Sequence, residues 1–156
     1  GTRLRKLDAG EFDALVMATA GLKRLELGER IRMIIPDTVS LPSPGQGALG
    51  IEILSGNEAL KETLHFINDV DTRVCCLAER AVSRALGGSC QVPLAAYAII
   101  ENGEIWMRAL VGNHHTGEAI RAEVRGSKSQ ALQLAEEVVQ SLKAQGADAI
   151  LKAVLG

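Results

Sequence analysis

The chain has 156 residues, of which 47% are hydrophobic and only 3% aromatic, so it can bury an aliphatic core. Its formal net charge of −2 argues against a nucleic-acid partner, because neutralising phosphates needs a basic excess. No apolar run approaches the roughly 20 residues of a membrane span. The three cysteines indicate reduced thiols in a cytoplasmic protein, and neither they nor the histidines have the spacing of a metal site.

The N-terminal third predicts parts of a parallel sheet. The first residues contain no apolar signal-peptide stretch, and the chain opens without Met, so we expect it to be a piece of a longer protein. Leu4 and Leu7 share one face of a helix predicted over residues 2–9. The apolar run 14–18 predicts a strand buried on both faces, and a helix then begins near Gly21.

The start of that second helix is a candidate anion site, because unpaired backbone N–H groups point outward there. Arg3, Lys23 and Arg24 are among the basic residues of this region. They form either an ordinary solvated face or a set of carboxylate or phosphate ligands. The sequence alone leaves both interpretations open.

Residues 39–47 contain two prolines and two glycines, which predicts an irregular crossing between domains. The glycines at 45, 47 and 50 fit the dinucleotide pattern G-x-G-x-x-G. A dinucleotide-binding fingerprint needs a strand before the glycines and a helix after them. Here prolines precede the glycines, and the segment that begins within the motif, residues 48–53, is predicted to be a strand. We therefore reject nucleotide binding and interpret the glycines as a hinge.

The remaining chain predicts an α+β unit over residues 69–156. Asn57 is expected to cap one helix before this unit, and Asp71 a second helix, which begins the unit and ends at Gly87. The apolar face of the second helix is predicted to comprise Val74, Leu77, Ala78, Ala81 and Ala85. The alternation of apolar and polar residues on both sides of Asn102-Gly103 predicts a β-hairpin. A third strand is predicted over 120–125, followed by two further helices. The predicted unit is therefore a sheet of three antiparallel strands with helices on one face.

Cys90 lies in a glycine-rich loop between the helix that Asp71 is expected to cap and the first strand of the hairpin. Loop residues held by a rigid scaffold are disproportionately functional, whereas Cys75 and Cys76 lie within a helix and are interpreted as packing residues. A Cys–His hydrolase would need one of the three histidines as a base. No spacing in the sequence supports that pairing.

Several motifs resemble the porphobilinogen deaminase family, also called hydroxymethylbilane synthase, in the right order along the whole chain. They are Thr2-Arg3-Leu4-x-Lys6-Leu7, Ala20-Gly21-Leu22-Lys23-Arg24-Leu25, Leu41-Pro42-x-Pro44-Gly45-Gln46-Gly47, Glu79-Arg80-Ala81, Gly88-x-Cys90-Gln91-Val92-Pro93 and Gly103-Glu104-Ile105-Trp106-x-Arg108-Ala109. The cysteine loop is highly specific to that family.

The resemblance implies an α/β plus α+β fold, with segments of two periplasmic-binding-protein-like α/β domains followed by an α+β domain. Residues 1–41 would be the C-terminal part of domain 2, and residues 42–68 the hinge and the returning segment of domain 1. Residues 69–156 would be the complete, cofactor-carrying domain 3.

The resemblance also implies a function. The family's enzyme is a transferase of heme biosynthesis that joins four porphobilinogen molecules with release of ammonia, and then frees the linear hydroxymethylbilane by hydrolysis. A covalent dipyrromethane cofactor primes the reaction through a thioether to the loop cysteine, which maps to Cys90. Arg3 and Arg24 match carboxylate-binding arginines, Ala18 and Gly21 match backbone contacts, and Gln46 lies in the hinge facing the cleft.

The family's catalytic aspartate and several anion ligands belong to an N-terminal half that this chain lacks. We therefore expect the fragment alone to be inactive, its partner to be the missing half, and the parent to be a monomer. Ser89, where many members have Gly, is a minor departure. Two alternatives remain, a non-catalytic carboxylate-binding module of periplasmic-binding type and a purely structural α+β fragment.

Overall fold

In the computed structural model, residues 1–87 and 92–155 are described. They form two compact units, Gly1–Pro36 and Asp37–Gly156. The predicted division at 41/42 and 68/69 refers to domains of a longer protein, and it stays a prediction. Among the described residues, no helix combines the length and the apolar character needed to cross a membrane.

The N-terminal unit contains two short helices, α1 (Thr2–Asp8) and α2 (Thr19–Arg24), and a 3-10 turn at Gly28–Arg30. The predicted first helix is confirmed, with Leu4 buried. The predicted strand over 14–18 is wrong, because these residues have no regular structure and Val16 is 83% exposed. A parallel strand needs a neighbour for its backbone groups, and none of the described residues pairs with this segment.

The segment between residue 37 and the first long helix is mostly irregular. The predicted strand over 48–53 is also wrong, and Leu49 is 90% exposed there. The helix α3 (Glu58–Leu64) follows, continued by a 3-10 turn at His65–Ile67. The predicted cap is confirmed, because the Asn57 side chain accepts a hydrogen bond from the backbone N–H of Leu60 at 3.1 Å.

The helix α4 (Val70–Ala85) begins two residues earlier than its predicted cap would place it. Asp69, not Asp71, is the N-cap, and its carboxylate accepts from the backbone N–H of Thr72 at 2.7 Å. Asp71 lies in the first turn instead. Gly87 has a φ of +105°, as expected at a helix end.

The apolar face of α4 was predicted only in part. Ala78 is fully buried and Val74 and Ala81 are partly buried, but Leu77 and Ala85 are exposed. The buried side of the helix comprises Cys75, Ala78, Glu79 and Val82. The buried face is therefore rotated relative to the predicted one, and it includes the charged residue Glu79.

Three antiparallel strands form one sheet in the order β1-β2-β3, with β1 at Leu94–Glu101, β2 at Glu104–Gly112 and β3 at Ala119–Ser127. Glu101 pairs with Glu104 across the predicted hairpin, whose turn residues Asn102 and Gly103 both have positive φ. The predicted alternation is confirmed. The fully buried residues of β2 are Ile105, Met107, Ala109 and Val111.

The helices α5 (Ala131–Ala144) and α6 (Ala147–Leu155) complete the core. The five predicted apolar residues of α5 are all buried, namely Ala131, Leu134, Ala135, Val138 and Leu142. Together with α4 they cover the inward face of the sheet. The α+β architecture predicted for the C-terminal part is therefore confirmed.

Candidate functional site

Cys90, the predicted cofactor attachment residue, lies outside the described residues. Residues 88–91 connect the end of α4 to β1, and both flanks belong to the core. Leu86 and Val92 are buried, and the Leu94 N–H donates to the Val92 carbonyl at 2.8 Å. The described residues on each side of this segment are thus packed into the core.

Three of the predicted binding residues belong to one short segment of the N-terminal unit. Ala18 is the N-cap of α2, and Gly21 and Arg24 lie within that helix. The Gly21 N–H donates to the Ala18 carbonyl at 3.1 Å, so this group serves the helix itself. Because α2 has only six residues, anion binding here would depend mainly on side chains.

Arg3 lies in α1 and is exposed, as is Arg24. Across residues 1–87 and 92–155, neither side chain is in an ion pair with a carboxylate. A guanidinium without an internal carboxylate keeps its bidentate donors for an external one. This exposure is compatible with both interpretations, an ordinary solvated face and a pair of carboxylate ligands, so the role of Arg3 and Arg24 stays a prediction.

Gln46, the fifth predicted binding residue, lies in a pair of overlapping turns in the C-terminal unit. Its backbone N–H donates to the Ser43 carbonyl at 3.0 Å, and the Ala48 N–H donates to the Gly45 carbonyl at 3.2 Å. Gly45 and Gly47 have positive φ values of 72° and 89°. The prediction of an irregular glycine-dependent segment is confirmed, and Gln46 is exposed.

The carboxylate of Glu79 is an unexpected feature of this region. Its side chain is buried, and its two oxygens accept from two backbone groups, Gly45 N–H at 2.6 Å and Ala98 N–H at 2.8 Å. Burial raises the pKa of this carboxyl, and the two N–H donors act in the opposite direction. The sequence signal was a charged residue at helical spacing from Cys75 and Val82, on the inward face of α4.

The two helical cysteines have the environment of packing residues. Burial and the nearby Glu79 carboxylate raise the pKa of the Cys75 thiol to about 11, and burial also raises the pKa of Cys76. Both therefore stay protonated near neutral pH and are poor nucleophiles. Outside residues 88–91 and 156, no group of three metal-ligating side chains is present.

The sheet face opposite α4 and α5 carries a second polar cluster. Arg108 on β2 lies over the Trp106 ring at 3.9 Å from its centroid, and it donates to the Asp37 carboxylate at 2.8 Å. Its side chain is only 8% exposed. A cavity of about 410 Å³ lies beside these residues, with Leu41 and Arg121 in its lining.

We predict that Asp37→Ala lowers the free energy of unfolding by about 1–3 kcal/mol at pH 7, because Arg108 would remain buried without its carboxylate. The Arg108 hydrogen bond lowers the pKa of Asp37. The stabilisation is therefore complete above the unfolded-state pKa of about 3.9 and is lost as the pH falls through the lower folded-state pKa. Urea unfolding followed by the fluorescence of Trp106 measures both effects.

The matched control for Asp37 is Glu101→Ala. Glu101 is also paired with an arginine beside Trp106, but the Arg125–Glu101 pair is 3.5 Å apart and half exposed on both sides. Glu101→Ala is therefore expected to lower the free energy of unfolding by at most about 1 kcal/mol. Equal costs for the two variants at pH 7 would contradict the assignment of Asp37 as the partner of a buried charge.

Comparisons with known proteins agree with the resemblance seen in the sequence. A family model described as "Porphobilinogen deaminase, dipyromethane cofactor binding domain" matches residues 1–62, and one described as "Porphobilinogen deaminase, C-terminal domain" matches residues 73–145. Proteins named porphobilinogen deaminase from Bordetella parapertussis and Neisseria meningitidis serogroup A are 52% and 50% identical to 99% of this chain.

The chain covers 49% of the Bordetella protein and 50% of the Neisseria protein, so it spans about half the length of the curated relatives it matches. The two family models together cover most of the chain, in the order in which the motifs occur. On these grounds the chain belongs to the porphobilinogen deaminase family.

Proposed function

We propose that this chain is the cofactor-carrying part of a hydroxymethylbilane synthase, a cytoplasmic transferase of tetrapyrrole biosynthesis. The observation that carries the proposal is the match of both family models to a chain that also contains the cysteine loop around Cys90. The proposed substrate is porphobilinogen. The proposed product is hydroxymethylbilane, with ammonia released at each condensation.

The proposed domain division follows from family membership. Residues 1–41 and 42–68 would complete two α/β domains of periplasmic-binding type together with the half of the protein that this chain lacks. Residues 69–156 would form the third domain by themselves. The compact packing of α4, the sheet and α5 supports that last assignment.

Cys90 is proposed to attach the dipyrromethane covalently through its sulfur atom. A thiolate is a soft nucleophile, and it can form a thioether with the electrophilic methylene carbon left when a pyrrole loses ammonia. The bound dipyrromethane would supply the primer that incoming pyrroles extend. The high pKa values of Cys75 and Cys76 support Cys90 as the reactive cysteine, because the other two thiols stay protonated.

The anionic groups of the cofactor and substrate need cationic and backbone donors. Arg3 and Arg24 are proposed to bind acetate or propionate carboxylates, and Ala18 and Gly21 to contribute backbone contacts. Gln46 is proposed to face the same ligands from the hinge. The exposure of both arginines, without internal carboxylate partners in the described chain, supports this role.

The remaining chemistry is proposed to lie in the missing half of the enzyme. The family resemblance places the catalytic aspartate and further anion ligands there. The working enzyme would then be a monomer that contains both halves. This chain would contribute the attachment residue, two arginines and the hinge glutamine.

The test uses a chimera in which this chain follows the N-terminal half of the Bordetella parapertussis relative. We expect intact-mass measurement to show one covalent dipyrromethane adduct, and peptide mapping to place it on Cys90. Incubation with porphobilinogen should then yield uroporphyrin after acid oxidation. The chimera is a fair host because the relative is 52% identical to this chain over 154 residues.

An unmodified and inactive chimera that nevertheless folds would reject the proposal. A folded chimera that binds small carboxylates without turnover would favour the alternative of a non-catalytic module. One that binds neither substrate nor carboxylates would favour the purely structural fragment. Absorbance spectra taken before and after acid treatment report the pyrrole adduct independently of turnover.

A further inference from the structure

The side of α4 that is turned away from the core carries five exposed residues in one line. Their positions advance alternately by three and four residues, so they share one face of the helix. They are Val70, Arg73, Leu77, Arg80 and Arg84, and together they are named the outer stripe. The buried residues of the same helix lie on its opposite side.

The composition of the outer stripe is typical of an interface. A solvated helix face usually mixes charges of both signs, whereas the stripe contains arginines and apolar residues and no carboxylate. Arginine is enriched at protein interfaces, where its planar guanidinium binds carboxylates with two hydrogen bonds. Val70 is 63% exposed, and Phe66, shortly before it in the chain, is 82% exposed. These residues suit a partner that offers carboxylates beside apolar side chains.

The positive charges of the stripe are not neutralised inside the chain. Arg73, Arg80 and Arg84 form no ion pair with any described residue. Residues 88–91, which follow the helix, contain no Asp or Glu. Arg80 and Arg84 are also four residues apart, a spacing at which like charges on a helix repel each other. A partner with carboxylates would relieve that repulsion.

The acidic residues of α4 and of its cap are engaged elsewhere. The Asp69 carboxylate accepts from the backbone N–H of Thr72 at 2.7 Å, and Asp71 pairs with Lys128 at 2.7 Å. Glu79 is buried on the other side of the helix, where it accepts from two backbone N–H groups. A carboxylate for the stripe therefore has to come from a partner.

We propose that the outer stripe of α4 docks against an acidic surface of the missing N-terminal half of the enzyme. The inference rests on the proposed function, which supplies this partner. The chain covers 49% of the Bordetella relative, so a polypeptide of similar size accompanies this part of the relative. A second copy of the chain is a poorer occupant, because two stripes meeting across a two-fold axis would bring their arginines together.

The first test maps the accessibility of the arginines with phenylglyoxal, which modifies guanidinium groups, followed by mass spectrometry of the peptides. Arg73, Arg80 and Arg84 should react in the isolated chain and lose most of their labelling in the chimera. Arg121, an exposed residue of β3, is the control and should react equally in both. Unchanged labelling of the three stripe arginines in a folded chimera would overturn the proposal.

The second test measures binding of the N-terminal half of the Bordetella parapertussis relative, added to this chain as a separate polypeptide. The double variant Arg80→Glu, Arg84→Glu should weaken that binding by about tenfold or more, because two attractions become repulsions. The loss should shrink at about 0.5 M salt, where exposed charges are screened. The variant Arg80→Lys, Arg84→Lys should bind with intermediate affinity, because it keeps the charge and loses the bidentate geometry.

The matched control for the double reversal is Arg121→Glu with Lys152→Glu. It changes the net charge by the same amount at exposed positions on β3 and α6, and it should retain the affinity. Equal weakening by the control would reduce the effect to net charge and overturn the proposal. Full affinity of a folded Arg80→Glu, Arg84→Glu variant would overturn it too.

Self-association of the chain that disappears in the double reversal would assign the stripe to a second copy and overturn the proposal. Neither test uses the cofactor or the substrate. A chimera with protected stripe arginines and no adduct on Cys90 would therefore reject the proposed function and still support the docking surface. A modified, active chimera with fully labelled stripe arginines would do the reverse.

Discussion

Cys90→Ser in the chimera is expected to abolish covalent attachment of the dipyrromethane, and with it the formation of hydroxymethylbilane. Serine preserves the size of the side chain, but an alkoxide is far harder to form than a thiolate at neutral pH. Intact-mass measurement should show the unmodified polypeptide. The turnover assay with porphobilinogen should give no uroporphyrin above background.

The matched controls for this variant are Cys75→Ala and Cys76→Ala. Cys75 is buried in the core and Cys76 is partly buried on the same helix, and burial raises the pKa of both thiols. Each control should retain the adduct and most of the turnover, with Cys75→Ala losing some stability from its small cavity. An adduct that persists in Cys90→Ser and disappears from either control would assign the attachment to the helix.

Local patterns in the sequence were sufficient to predict most of the C-terminal unit. Asn102-Gly103 specifies a tight hairpin, and the alternation of β2 separates Met107 on the core side from Arg108 on the opposite face of the sheet. The heptad-like apolar spacing of α5 specifies its buried side in the same way. Each of these features depends on neighbours within a few residues, so a single sequence contains the information.

The two wrong strand predictions, unlike the misplaced cap of α4, involve partners that are distant in sequence. The runs 14–18 and 48–53 have the composition of buried parallel strands, but a strand forms only when another strand satisfies its backbone groups. The Glu79–Gly45 hydrogen bond spans 34 residues and the Arg108–Asp37 pair spans 71. Neither pairing has a local signature in the sequence. The position of Glu79 on the inward face of α4 indicates only that its carboxylate needs a polar partner.

The predicted site residues also differ in whether the local sequence is enough to place them. Gln46 could be placed in a turn because proline and glycine specify one locally, and the structure confirms the irregular backbone. The roles of Cys90, Arg3 and Arg24 come from the family resemblance, and they stay predictions until the adduct and the variants are measured. In the structure Arg3 and Arg24 are exposed, and an exposed guanidinium can donate hydrogen bonds to an external carboxylate.

This chain by itself is expected to form no hydroxymethylbilane, even though its C-terminal unit has a complete core. Turnover needs a carboxyl group beside the pyrrole nitrogens and a full set of anion ligands, and the family resemblance places most of these in the missing half. The exposed apolar side chains of the first part of the chain support the same expectation. They include Val16 at 83%, Leu49 at 90%, Ile51 at 61% and Leu54 at 81% exposure.

Such side chains suit buried strands, and they should favour association when their partner strands are absent. The missing half, added as a separate polypeptide, should therefore bind this chain, protect residues 14–18 and 48–53 from hydrogen exchange, and restore turnover. The matched control is the Cys90→Ser chain, which should bind the other half and gain the same protection without becoming active. Turnover by the isolated chain would place the chemistry on an Asp or Glu within residues 1–156, and the assignment of the catalytic carboxylate to the other half would then be wrong.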